Sequence, residues 1–155
     1  MGPMITEKEA IRVEKWVNEA VEKGASLLCG GERNGAFYQP TVLTDLPADC
    51  TLAKEEVFGP VVMLYPVADL ESAIEKSNSV DYGLQAGIFT RNLEKAFSAI
   101  KHLEVGGVMI NDSTDYRIDA MPFGGVKGSG LGREGIKFAI HEMTEPKVVC
   151  FKLPK

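Results

Sequence analysis

The order of elements along this chain predicts an α/β fold: a parallel sheet flanked by helices, with one further strand at the C-terminus. Three observations carry that expectation. Apolar runs of strand length, Pro60 to Val67, Leu84 to Thr90 and Val105 to Asn111, alternate with amphipathic stretches of helix length. Helix-length crossovers between apolar strands are what parallel pairing with right-handed connections requires. Finally, Pro146 to Leu153 alternates, with Val149, Phe151 and Leu153 on one face and Val148, Cys150 and Lys152 on the other.

Each element has a local reason. Thr6 is placed to cap a helix, and Glu9 three residues later completes a capping box. Ala10, Val13, Trp16, Val17, Ala20 and Val21 then recur at helical spacing until Lys23-Gly24 stops the run. Ser26 to Cys29 reads as a short strand closed by Gly30-Gly31, and Phe37 to Leu43 is rich in strand formers. The nearly continuous apolar run to Val67 suits a strand covered on both faces. Asp69 and Asn92 are expected helix caps, the first ahead of Leu70, Ala73 and Ile74, the second ahead of Ala96, Phe97 and Ile100. From Asp112 to Gly132 the chain turns polar and then glycine-rich, without helical or alternating period. Loops that long are functional or disordered. Arg133 to Met143 returns to helix, and Lys at both ends of the last strand marks an edge that solvates or pairs with another chain. The expected division is 1–145 as one body and 146–155 as an association strand.

Composition narrows the partners. With 155 residues, 45% apolar and 25% charged, the chain is an ordinary single-domain length with enough apolar surface for a core. A formal charge of -5 and scattered Lys and Arg argue against nucleic acid and against anionic membranes. No apolar run approaches the roughly 20 residues of a membrane helix, and the N-terminal residues do not read as a secretion signal. Cys29, Cys50 and Cys150 are sparse and unpaired, which fits a reducing cytoplasm. His102 and His141 are far apart, so no metal site is expected.

Two segments stand out chemically. In Glu55-Glu56-Val57-Phe58-Gly59-Pro60, two carboxylates precede an aromatic, and Gly-Pro breaks the local structure before a strand. An acid beside an aromatic face suits a sugar diol next to a flat heterocycle, because a carboxylate accepts both hydroxyl protons. The plain alternative is a solvated Glu-Glu pair near a turn. The second segment, Pro122-Phe123-Gly124-Gly125-Val126-Lys127-Gly128-Ser129-Gly130, is a glycine-rich turn with one aromatic at its entrance. Its spacing is wrong for a dinucleotide fingerprint, and no apolar strand leads into it. Close passage of backbone past neighbouring structure is the better reading. Between Asn111 and Asp119, Arg117 either attracts an anionic group or is neutralised by nearby aspartates.

Together these segments resemble the aldehyde dehydrogenase family, over essentially the whole chain from Gly2-Pro3-Met4-Ile5 onward, and match only its C-terminal third. The resemblance implies a Rossmann-like catalytic-domain sheet, NAD or NADP as cofactor, and oxidation of a small aldehyde to a carboxylate. It implies that Glu56 hydrogen-bonds the ribose beside the nicotinamide and that Phe58 packs near that ring. Phe123 matches an aromatic lining the substrate tunnel, with a simple core aromatic as its alternative. The rim looks closest to enzymes for lactaldehyde or semialdehydes. Such enzymes use a cysteine in a glycine-containing turn to form a thiohemiacetal. A glutamate in a Glu-Leu-Gly-Gly-type segment then serves the hydrolysis of the thioester. Neither motif occurs here, so no residue is put forward as catalytic. The expectation is a catalytic-domain fragment without its catalyst, homo-oligomeric through its C-terminal strand. The rival is a non-catalytic self-association or binding module.

Overall fold

Thr6 starts the first helix as its position predicts. In the computed structural model, which describes residues 1–154, its hydroxyl accepts the Glu9 N–H at 3.3 Å and opens α1 (Glu7–Glu22). The chain divides into two units, one ending at Val67 and one beginning at Ala68.

In the first unit α1 is followed by β1 (Ser26–Cys29), the hairpin β2 (Arg33–Asn34) and β3 (Phe37–Tyr38), β4 (Thr41–Thr44), α2 (Thr51–Lys54) and β5 (Val61–Leu64). The sheet runs β1-β4-β5, antiparallel then parallel, with Thr41 opposite Val61 and Thr44 opposite Leu64. The inward stripe of α1, Val13, Val17 and Ala20, joins Leu43, Leu52 and Val61 in one buried cluster. Fully burying side chains such as Leu43 and Leu52 stabilises by roughly 1.5–3 kcal/mol each.

The second unit holds α3 (Leu70–Asn78), β6 (Tyr82–Gly83), β7 (Gln85–Ile88), α4 (Leu93–His102), β8 (Gly107–Ile110), β9 (Val126–Lys127) and α5 (Ile136–Met143). Asp69 and Asn92 cap as expected, accepting the Ser72 N–H at 2.8 Å and the Lys95 N–H at 3.0 Å. β7 and β8 are parallel, with Gln85 opposite Gly107, and α4 is the crossover between them. The fold is thus mixed α/β with parallel sheet segments and helices.

Four details differ from the sequence reading. Within the first unit β5 pairs in parallel with β4, a partner that the sequence did not announce, and within the second β7 pairs with β8 as the crossover predicts. The parallel unit β4–α2–β5 was hidden because α2 is a single turn, too short to show a period. The run after Pro60 is not covered on both faces; Val61 is buried whereas Val62 and Leu64 are exposed. The helix expected from Arg133 begins at Ile136, because Glu134 is held in an antiparallel bridge with Phe123. Last, 146–154 forms no strand, and Lys155 lies outside the described residues. A strand needs a neighbour's N–H and C=O groups, and among the described residues no other segment pairs with this one.

Candidate cofactor and substrate surfaces

The Glu56–Phe58 turn lies in the first unit between α2 and β5, and α1 shapes it. The Arg12 side chain on α1 donates through Nη2 to the Val57 carbonyl at 2.8 Å and through Nε to Glu9 at 2.6 Å. Its guanidinium also stacks on Trp16, 4.4 Å from the ring centroid. The next residue of α1, Val13, sits where Gly59 passes; a Cβ on Gly59 would come within 2.9 Å of Val13 Cγ2. Only glycine lets the turn seat so closely on the helix.

Phe58 itself has φ +44°. A bulky residue in the left-handed region costs about 1–3 kcal/mol and persists only where its surroundings determine it. The result is an aromatic ring 75% exposed, on the wall of a cleft of about 630 Å³ that Glu56, Arg12, Trp16 and Met4 also line. Glu56 is exposed, and among the described residues no hydrogen bond or ion pair engages its carboxylate. A free carboxylate and an open ring face on one cleft fit a diol beside a flat heterocycle, so the residues present suit a nicotinamide ribose.

Phe123 lies in the second unit and is half-buried. Backbone bonds tie it to Glu134: the Phe123 N–H donates at 3.1 Å and its carbonyl accepts at 2.6 Å. Arg117 Cζ lies over its ring, 4.3 Å from the centroid, and Nη2 donates to the Glu134 carboxylate at 2.8 Å. The partner of Arg117 is therefore Glu134, seventeen residues on, and not the neighbouring aspartates. Phe123 lines a depression of about 590 Å³ with Leu84, Arg133 and Met143.

The glycine-rich segment behind Phe123 is held by close approach, as the sequence suggested. A Cβ on Gly106 would overlap the Gly124 carbonyl oxygen, so two strands of backbone cross there without side chains. Side chains that the sequence did not single out complete the fastening. Arg133 Nη1 donates to the carbonyls of Gly125 at 2.9 Å and Gly132 at 2.6 Å. Lys127 Nζ donates to the Asn78 carbonyl at 2.7 Å and pairs with Glu104 at 2.7 Å. These partners lie up to 49 residues apart, and no local pattern announces them.

Among the described residues no cluster of three or more His, Cys, Asp or Glu is arranged to hold a metal ion. No helix there is long and apolar enough to cross a membrane. The cysteines are free, Cys50 buried and Cys29 and Cys150 exposed.

Comparison with known proteins places this geometry. The 3-sulfolactaldehyde dehydrogenase of Priestia megaterium is 52% identical over 153 residues, covering 99% of this chain and 32% of that protein. Aldehyde dehydrogenase 21 of Physcomitrella patens, solved with its reaction product succinate, superposes with a TM-score of 0.91 at 53% identity, covering 94% of this chain and 30% of that one. The glyceraldehyde-3-phosphate dehydrogenase of Methanocaldococcus jannaschii, solved with NADP, superposes with a TM-score of 0.86 at 46% identity, covering 92% of this chain and 31% of that one. The chain thus spans about a third of the length of the relatives it matches. The model of the aldehyde dehydrogenase family matches residues 1–149, and this chain belongs to that family.

Proposed function

We propose that this chain supplies the nicotinamide-ribose contacts and part of the substrate tunnel of an NAD(P)-dependent enzyme that oxidises a small anionic aldehyde to a carboxylate. One observation carries the reading above all: the unengaged Glu56 carboxylate and the open Phe58 face share one cleft. The nicotinamide, when bound, supplies the hydride acceptor. Glu56 accepts hydrogen bonds from the ribose hydroxyls, and Phe58 packs against the ring and excludes water from one side of it.

On the substrate side Phe123 is the tunnel wall and Arg117 the recognition group. Some relatives point the same way, being named for 3-sulfolactaldehyde and glyceraldehyde 3-phosphate or solved with succinate, all anionic, whereas others are named for the uncharged lactaldehyde. Contact with the Phe123 ring holds the guanidinium in place, and only Nη2 is taken by Glu134. That pair is exposed, so it is weak enough for an incoming anion to compete with. Cys29, Cys50 and Cys150 are not assigned as nucleophiles, and the chain alone is expected not to turn over. Its three free thiols fit a cytoplasmic setting.

Residues 146–155 are proposed as the association segment. Val148 is 93% exposed and Phe151 85% exposed, and the unpaired backbone beside them suits strand addition to another copy. That same exposure favours the second reading, a non-catalytic self-association module.

The test is a graft. The chain replaces the matching third of the Priestia megaterium enzyme, and NAD(P)H formation is followed with charged and neutral aldehydes. Activity in the graft that Glu56→Gln and Arg117→Met each lower supports the reading. Arg117→Met should raise KM for anionic aldehydes by roughly tenfold or more, the worth of a charged hydrogen bond, and leave neutral ones little changed. Thiol-sensitive turnover by the chain alone overturns the assignment of its cysteines.

A further inference from the structure

Phe58 is the only aromatic among the described residues with a left-handed backbone, a conformation that a bulky side chain does not ease. Something outside the turn must hold it. The direction of the Val57 carbonyl sets the plane of the peptide that links Val57 to Phe58, and a planar peptide passes that orientation to φ of Phe58. That carbonyl is the one Arg12 Nη2 grips at 2.8 Å. Arg12 is itself fixed twice, by Glu9 on Nε and by the Trp16 ring, whose centroid is 4.4 Å from Cζ. Val13 closes the other end of the turn against Gly59.

We propose that Arg12 is the positioning residue of the cofactor surface: by holding the Val57 carbonyl it keeps Phe58 left-handed and its ring turned into the cleft. This rests on the reading of Glu56 and Phe58 as nicotinamide-ribose contacts. Arg12 acts through the backbone, so its removal leaves both contacting side chains present and misaimed. A lysine there restores one donor to the carbonyl but not the fork that reaches Glu9 and the carbonyl together. A methionine keeps the stem that packs along α1 and removes every donor.

The experiment is chymotrypsin cleavage of the whole chain after Phe58, scored against cleavage after Phe89 in the second unit, which is also exposed. It compares the unsubstituted chain, Arg12→Met, Arg12→Lys and Glu56→Gln, each with and without reduced nicotinamide mononucleotide. Without ligand, Arg12→Met should speed cleavage after Phe58 on the order of tenfold relative to Phe89, the value of one charge-assisted hydrogen bond. Arg12→Lys should recover most of the resistance, and Glu56→Gln should match the unsubstituted chain. Equal cleavage of Arg12→Met and the unsubstituted chain overturns the positioning role. With ligand, the mononucleotide should protect the unsubstituted chain and Arg12→Lys, but neither Arg12→Met nor Glu56→Gln. Failure to protect the unsubstituted chain overturns the cofactor half of this proposal, while the ligand-free ratio still decides whether Arg12 holds the turn and the graft decides the cofactor reading. Faster cleavage after Phe89 as well marks general unfolding; Arg12→Met is then compared at a temperature low enough to restore resistance after Phe89, where a raised Phe58-to-Phe89 ratio supports the role and an unchanged ratio overturns it.

Discussion

The two units solve the same problem in different ways. The first builds its candidate surface on a packed core: Val13, Val17, Leu43 and Leu52 are essentially solvent-free, and the turn with Phe58 is pinned to the helix that core supports. The second has few fully buried side chains, chiefly Ile74, Ala96 and Ala99. Its loop behind Phe123 is fastened instead by glycine crossings and by Arg133 and Lys127 donating to backbone carbonyls. Phe97, Leu93 and Ile140 remain exposed there. A core tolerates change at its surface, whereas a polar fastening tolerates change almost anywhere except at its few knots.

That contrast can be broken in order of expected effect. Leu43→Ala should cost about 2–5 kcal/mol, as truncation of a buried leucine does, read as a lower urea midpoint. Phe97→Ala, a larger deletion on an exposed face, should stay within about 0.5 kcal/mol; comparable losses would mean that the second unit has a core like the first. Gly106→Ala forces a methyl into the Gly124 carbonyl and should cost at least about 1–3 kcal/mol, as overpacking does. Its mark would be chymotryptic susceptibility after Phe123 with the first unit unaffected. Thr6→Ala removes the cap of α1 and should cost about 1 kcal/mol, measured as a lower melting temperature.

The smallest effect is acid sensitivity. The Ser72 hydroxyl and N–H hold the Asp69 carboxyl below its ordinary value. A carboxyl depressed on folding binds fewer protons than in the unfolded chain, so its stabilisation is full above the unfolded value. It fades as pH falls from about 4 through the folded value. Asp69→Asn should flatten amide-exchange differences in α3 across that window; a slope unchanged by the substitution would remove the cap from this account.

Much of this was legible from the sequence, and the reason is locality. The caps at Thr6, Asp69 and Asn92 act across three residues, so spacing alone exposed them. The acid–aromatic turn was legible for the same reason, its two members being two residues apart on one cleft. Arg12 was not: its bond to Val57 spans 45 residues, and on α1 it reads as one more solvated charge. The clasp by Arg133 hid behind a helical expectation that the Phe123–Glu134 bridge cut short. The expected strand at 146–153 marks the opposite failure. Alternation states what a segment can pair with, but a ladder forms only where a partner exists.

The stack of Arg12 on Trp16 has an optical consequence. Trp16 is the single tryptophan of the chain, and it stands on the wall of the cleft that Glu56 and Phe58 share. Every photon of tryptophan emission from this molecule therefore originates at the candidate cofactor surface. Reduced nicotinamide absorbs where tryptophan emits, so a dinucleotide settling there would dim that light by energy transfer. The chain carries its own gauge of occupancy, and no label need be attached to read it.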